Sequence, residues 1–586
     1  MPLTPTALIS ADDVVAHTLL NCLLREVSGR EHQTAVTDGH LLLRLPNTGV
    51  ILRVALRRTS LIGAHRFTGP VTEQRPDGWA ELPWHALAAR IHRELRRRTG
   101  VANDEFLAQV AASHQGVSAA LDRPAPRSEP ADPYLESEQS LVFGHRFHPT
   151  PKARTGSPEQ WRAYAPESGA RFPLHHLAVR ADLVREETAT RDALTVLDRQ
   201  GRAPDGYRLL PAHPWQYAML RDHPALRAAL ARGDVLDLGP GGREFAATAS
   251  VRTLYDGRDF LKFSLQVRIT NCLRKNADYE LSGAVALTRL LEPVATDLAA
   301  RFAGCELLRE PGYRALDLGD RALLEGFGVI VREGLTARLR PGLTGLLAAA
   351  VADEYPTSPA HVSRLLAGAD AAAALAWWNA YVGLLVPPVL AAYLDHGVVL
   401  EPHLQNVVVG VDSSGTPRQV LFRDLEGTKL LPTHHAAALA ALPAHVARPL
   451  TYEPDRGWDR VVYCLLVNHI AEVLAALADL HPQAEPALWS AVRRVLAERA
   501  EAHGRPPGLT ALLAGAPLPA KANLLTRWDR KADRDAGYVR IANPLAPDLL
   551  SEAARYGTVA APVPAPASAP ASASASTPAS ASAQGA

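Results

Sequence analysis

Cysteine is scarce and scattered in this chain of 586 residues. The four present, Cys22, Cys272, Cys305 and Cys464, are far apart and show no CxxC or CxxH spacing. That argues against a disulfide framework or a zinc site and fits a reducing cytoplasm. A charge excess is missing too. The 62 basic and 61 acidic residues leave a formal charge of +1, so electrostatics makes no case for nucleic acid or an anionic membrane as partner. The densest basic cluster, ARIHRELRRRTG at 89–100, reads as the solvated face of a helix. The N-terminal MPLTPTALISADDVVAHTLL lacks a basic region ahead of an apolar one and does not read as a signal peptide. No repeat with a period of about 20–50 residues is visible. One uncharged run, AAAALAWWNAYVGLLVPPVLAAYL at 371–394, is long enough to span a bilayer. Asn379, the Pro387–Pro388 pair and the abundant alanine make it two buried core helices instead.

What is present is core material: 47% of the residues are hydrophobic and 21% charged. At about 150 residues per domain the length predicts roughly two to four domains. Residues 12–27 form an amphipathic helix after a Ser/Asp cap, and 40–56 a hairpin across Pro46-Asn47-Thr48-Gly49. Helices are expected from there to about residue 120. Residues 122–133, DRPAPRSEPADP, have the composition of an exposed linker and mark a first boundary. Residues 134–335 read as mixed α and β, 336–396 as mostly helical, and 433–514 as helices again. After Gly557 the chain is nearly all Ala, Pro and Ser and cannot bury enough apolar surface to fold.

Four clusters bear chemistry. The loop GHRFHPTPKARTG at 144–156 gathers His145, His148, Lys152 and Arg154 between glycines, which suits a polyanion such as a nucleotide phosphate, or else an exposed basic turn. LLPAHPWQ at 209–216 suggests a buried structural turn. ATASVRTL at 247–254 and FLKFSLQVRITNCLRKN at 260–276 supply Ser250, Arg252, Thr253, Lys262, Thr270, Asn271 and Arg274. Period two would put Lys262, Ser264, Gln266, Arg268 and Thr270 on one strand face, either solvated or the floor of an anion site. The most specific signal is LDHGVVLEPHLQNVVVGVDSSGTPRQVLFRDLEG at 394–427. There Glu401, His403, Gln405 and Asn406 interrupt two valine strands, and a third strand delivers Arg423, Asp424 and Glu426. An Asn and an Asp on neighbouring strand ends match the way kinase-like phosphate enzymes hold magnesium.

Taken together, these clusters resemble the NRPS-independent siderophore synthetases, the IucA/IucC family, over about residues 134–545. The matching pieces are the 144–156 loop, HPWQ at 213–216, SxRT at 250–253, K…ITN…R at 262–274, ExHxQN at 401–406, RDxEG at 423–427 and KANLLTR at 521–527. Arg146 departs from the pattern, which has proline there. The resemblance implies an α+β, multidomain cupped hand: a thumb at 1–133, fingers at 134–335, a kinase-like palm at 336–558 and a disordered tail at 559–586. It implies a cytoplasmic, commonly dimeric ligase that uses ATP and magnesium. Such an enzyme adenylates citrate, or a citrate- or succinate-derived carboxylate, and passes the acyl group to an amine, hydroxylamine or alcohol. Carried over, His148, Lys152, Arg154, Ser250, Arg252, Thr253 and Lys262 would hold the nucleotide. Thr270, Asn271, Arg274, His403 and Gln405 would hold the carboxylate substrate, with Arg274, His403 and Lys262 closest to the chemistry. Glu401, Asn406 and Asp424 would form the magnesium side. A small-molecule phosphotransferase is the rival reading of the 394–427 motif.

Overall fold

The computed structural model describes residues 9–122, 132–269, 272–352, 361–531 and 536–547. The Ala/Pro/Ser tail lies wholly outside these residues and the 122–133 linker largely so. The first helix, Ala11–Leu23, starts where Ser10 Oγ accepts from Asp13 N at 3.1 Å, with Asp12 and Asp13 favouring its N-terminal dipole. A π-helical turn, Leu24–Ser28, follows. The expected hairpin forms from His40–Leu45 and Val50–Arg58.

The helices expected next are delayed. Two further strands, Arg66–Arg75 and Gly78–Glu81, complete a five-stranded antiparallel sheet before the helices Trp84–Thr99 and Glu105–Leu121 begin. Their polar composition hides the alternation. Phe67 and Val71 face inward together with Glu73, whose charge is met by two bonds from Arg90 at 2.7 and 3.0 Å.

An eight-stranded antiparallel sheet forms the middle of the molecule, with Phe260–Phe263 and Thr253–Tyr255 as central neighbours. The single strand expected over 261–270 breaks at Ser264. Its Oγ donates to Glu325 O at 2.5 Å and accepts from Asn276 N at 2.7 Å, so the chain leaves the sheet there. Leu265–Ile269 continues in a separate ribbon with Cys272–Arg274. The common polar face therefore does not form: Lys262 is buried while Arg268 is exposed.

A four-stranded sheet carries Val407–Val411 and Pro417–Phe422 as an antiparallel pair. Residues 371–394 make one helix, Ala371–Leu394, not two. The interior prolines cost about 3 kcal/mol each. Burial of Trp377, Trp378, Tyr381, Leu385, Val386 and Val389, at roughly 1.5–3 kcal/mol each, outweighs that. Both indoles also donate to carbonyls, of Gly415 at 2.9 Å and Leu488 at 2.8 Å. This helix and the continuous run Pro454–Leu480 are each long and apolar enough to cross a membrane, but 94% of the second one's apolar window is buried inside the fold.

Chain ends meet. The core under the five-stranded sheet is completed by Leu524 and Trp528. Glu26 accepts from Leu524 N at 2.8 Å and Leu525 N at 2.9 Å, satisfying the free donors at the start of the helix Asn523–Trp528. Arg58 pairs with Glu485 at 2.5 Å and Arg66 with Asp479 at 2.9 Å.

Candidate active site

A cavity of about 490 Å³ opens where the 144–156 loop, the 248–253 turn, the 403–406 turn, the 423–424 corner and the helix 454–480 meet. Among the described residues its lining holds nine Arg or Lys side chains against three carboxylates, Glu167, Asp424 and Glu472.

The 248–253 turn is built around a backbone exception. Val251, a β-branched residue, has φ +67°. Three hydrogen bonds hold it there: Val251 N to Thr248 O at 2.8 Å, Thr253 N to Ser250 Oγ at 3.0 Å and Thr248 Oγ1 to Thr253 O at 2.7 Å. The Val251 side chain buries against Trp161, Trp215 and Leu265. Arg252 is thereby set on the cavity lining, donating to Asn276 Oδ1 at 2.5 Å and Glu426 Oε2 at 3.0 Å.

Facing it, Asp424 also has a positive φ, +70°, at the end of strand Pro417–Phe422. Its Oδ1 accepts from Lys262 Nζ at 2.5 Å and Arg332 Nη2 at 3.0 Å. Burial alone would raise this carboxyl, yet Lys262 and Arg332 pull it well below the usual range. Glu426 is likewise pulled to about 2: burial raises it, and Lys262 and Arg252 more than reverse that. Arg332 in turn is held by Glu310 at 2.6 Å, and Arg423 by Tyr134 OH at 2.7 Å and by Glu138. A buried lattice of alternating charges results, with Asp424 on its open side; that side chain is 32% exposed.

Paired strands align Asn406 and Asp424. Val407 pairs with Phe422, and Arg423 N donates to Asn406 O at 3.0 Å. His403 lies just before Asn406 on a turn anchored from behind. His469 Nδ1 donates to Pro402 O at 2.7 Å, and Tyr381 OH donates to His469 Nε2 at 2.6 Å. Burial lowers His403 to about 4, so its imidazole is neutral near pH 7. No hydrogen bond joins its ring to a described residue. Arg274 also lines the cavity, and its guanidinium pairs with no described residue.

The cavity brings together His148, Lys152, Arg154, Ser250, Arg252, Thr253, Arg274, His403, Gln405, Asn406 and Asp424. Two expected members stand behind the lining. Lys262, 1% exposed, reaches the site through Asp424 and Glu426. Glu401 pairs with Arg460 at 2.6 Å and lies against Gly427, where a Cβ would come within 2.6 Å of its Oε2. Thr270 and Asn271 fall outside the described residues. Among those described, no group of three or more His, Cys, Asp or Glu side chains gathers as a metal cluster. HPWQ buttresses rather than lines: Trp215 packs under Gly156 (φ +113°), and Gln216 bonds Gly326 O at 3.0 Å and Gln266 N at 2.8 Å. Sequence reasoning missed Arg332, Arg460, Glu138 and Glu310. An arginine closing the otherwise apolar strand Val329–Arg332 was the readable signal for the first.

Residues 133–353 match the model of the IucA / IucC family, and residues 375–536 match the model described as ferric iron reductase FhuF-like transporter. The rhizobactin siderophore biosynthesis protein RhbC of Rhizobium meliloti is 28% identical over 577 residues, covering 92% of this chain and 98% of the relative. A spermidine-citrate ligase of Bacillus anthracis is 30% identical over 451 residues, 70% of this chain and 73% of the relative. An L-2,3-diaminopropanoate–citrate ligase of Staphylococcus aureus is 30% identical over 443 residues, covering 71% and 75%. The solved ATP-bound aerobactin synthetase IucA of Klebsiella pneumoniae superposes with TM-score 0.81 at 27% identity, over 91% of this chain and 99% of that one. With motifs, fold and full-length relatives in agreement, the chain belongs to the IucA/IucC family.

Proposed function

We propose that this chain is an ATP-dependent, AMP-forming ligase of siderophore biosynthesis that joins a carboxylate to an amine, hydroxylamine or alcohol. The observation behind this reading is the cavity itself: nine lining cations against three lining carboxylates around about 490 Å³, an excess of cations that persists when Lys262 and the carboxylates of Glu138, Glu310, Glu401 and Glu426 behind the lining are included. An overall neutral protein concentrates positive charge this way to hold two polyanions side by side. Citrate, named in the two ligases at 30% identity, is the first carboxylate to test.

In the proposed reaction a substrate carboxylate oxygen attacks the α-phosphorus of ATP, and the bond to the β-phosphate oxygen breaks, releasing pyrophosphate. Arg252, with Lys152 and Arg154 opposite, grips the phosphates. Arg274, uncommitted to any described residue, forks onto the carboxylate and fixes it for attack. The amine nitrogen then attacks the acyl carbon, the bond to AMP breaks, and the amine loses a proton. His403, neutral near pH 7, can accept that proton. Asp424 and Asn406 fit a magnesium ion, since both line the cavity, both present oxygen, and Asp424 is held ionised. Bound there, magnesium would neutralise phosphate charge. Lys262 and Glu401 act as positioning residues, through Asp424 and Arg460. On this reading the five-stranded unit is the thumb, the eight-stranded sheet the fingers and the rest the palm of a cytoplasmic homodimer.

The test is incubation with Mg·ATP, citrate and hydroxylamine followed by identification of the nucleotide product. AMP with pyrophosphate and a citryl hydroxamate is expected. ADP without AMP would overturn the reading in favour of a phosphotransferase.

A further inference from the structure

Arg146 is the one position in the 144–156 loop that departs from the family pattern, and it does not point away from the site. It lines the cavity and reaches across to three elements: His65 O at 3.0 Å, Asn21 Oδ1 at 3.5 Å and the carboxylate of Glu472 at 3.8 Å. Glu472 lines the same cavity, with only 10% of its side chain exposed. The two side chains thus form a charge pair on the cavity lining, set at the edge of ion-pair distance.

The helix carrying Glu472 is shaped for this. Tyr463–Ile470 is π-helical, which brings Asn468 under Tyr463, five residues earlier, so that Asn468 Nδ2 donates to the phenol oxygen at 3.3 Å. Four residues further on, Glu472 follows Asn468 on the same helix face. Tyr463, Asn468 and Glu472 all line the cavity. His145, next to Arg146 in the chain, lines the same cavity as His403. Arg25, also buried, lies within electrostatic reach of Glu472.

We propose that Arg146 and Glu472 form a subsite for the nucleophile and that it reads an amino-acid head group, the carboxylate on Arg146 and the α-ammonium on Glu472 and Asn468. A ligand bearing one charge is attracted by one member of the pair and opposed by the other at similar distance. A zwitterion set antiparallel to the pair complements both charges. The nucleophile's distal amine is then left free to reach the acyl group. The inference rests on the ligase reading and narrows it from amines in general to amines carrying an α-amino-carboxylate.

The test compares matched amines with Mg·ATP and citrate, reading kcat/KM by pyrophosphate release. L-lysine, cadaverine (no carboxylate) and 6-aminohexanoate (no α-amine) form one series. Ornithine, putrescine and 5-aminopentanoate form a shorter one, and 2,3-diaminopropanoate, 1,2-diaminoethane and 3-aminopropanoate the shortest. The wild-type enzyme is expected to prefer the amino acid in at least one series by about tenfold or more over both analogues. R146A should erase the preference over the diamine, and E472Q the preference over the ω-amino acid. R146K should keep part of the first. These ratios are taken within each variant, so a general loss of stability does not move them. Equal use of all three amines in every series, or unchanged ratios in the variants, would overturn the subsite while leaving the ligase intact. Absence of AMP even with hydroxylamine would overturn the ligase reading itself.

Discussion

Arg274 and Asp424 stand for two different ways a charge is prepared. Asp424 is engaged by Lys262 and Arg332, which keep it ionised on the cavity lining. Arg274 is the opposite, a guanidinium on the lining with no described partner, whose attraction is available to a ligand. Replacing it with alanine is expected to lower kcat/KM for citrate by about 100-fold, near 2.7 kcal/mol, while KM for ATP changes less than about threefold. Lysine there should recover part of the loss, since it keeps the charge but not the fork. A uniform rise in both KM values would move Arg274 from carboxylate binding to nucleotide binding. Arg274, His403 and Asp424, which the sequence singles out as polar residues in or near strand-like segments, all line the cavity, while their roles come from the family resemblance. Arg332 and Glu310 were harder to single out, because their partners come from segments up to 92 residues apart in the chain.

At the scale of elements, local pattern located strands well and their partners poorly. The valines at 398–411 and the Asp-Ser-Ser-Gly turn were legible as strands and a turn. Yet Val398–Val399 pairs with Lys429–Leu430, not with the neighbouring valine strand. The break at Ser264 was illegible, because it depends on hydrogen bonds to Asn276 and Glu325, and alternation alone predicts an unbroken strand. Helix breaking by Pro387–Pro388 was overpredicted, since propensity is a weak prior against buried tryptophans. The 144–156 loop offers a test at this scale. A Cβ on Gly156, at φ +113°, would come within 2.7 Å of the Trp215 ring. Gly156→Ala should therefore destabilise by about 1–3 kcal/mol and raise KM for ATP through Lys152 and Arg154. A variant with wild-type melting and KM would show that HPWQ does not support the loop.

For the whole molecule, composition announced a large core and local motifs announced the site, but not how the chain closes. The helix Asn523–Trp528 completes the first core, through Leu524, Trp528 and the Glu26 bonds, so the N-terminal unit is not self-sufficient. Buried histidines make this assembly sensitive to acid. His213 and His469, both 0% exposed, are pushed by burial to about 3. Below about 6.5 the unfolded chain binds protons that the fold refuses, so stability is fully present above 6.5 and falls as pH drops toward 3. The two together should remove about 3 kcal/mol per pH unit inside that window. Urea midpoints at pH 7.5, 6 and 5 should decline accordingly, and a flat series would contradict the burial of these rings. The central claim, that the cationic cavity lets a carboxylate attack the α-phosphorus, is tested most directly by isotope transfer. With citrate labelled in its carboxylate oxygens with ¹⁸O, Mg·ATP and a nucleophile, mass spectrometry should find one label in AMP and none in pyrophosphate. Label in inorganic phosphate, with ADP as the nucleotide product, would contradict it.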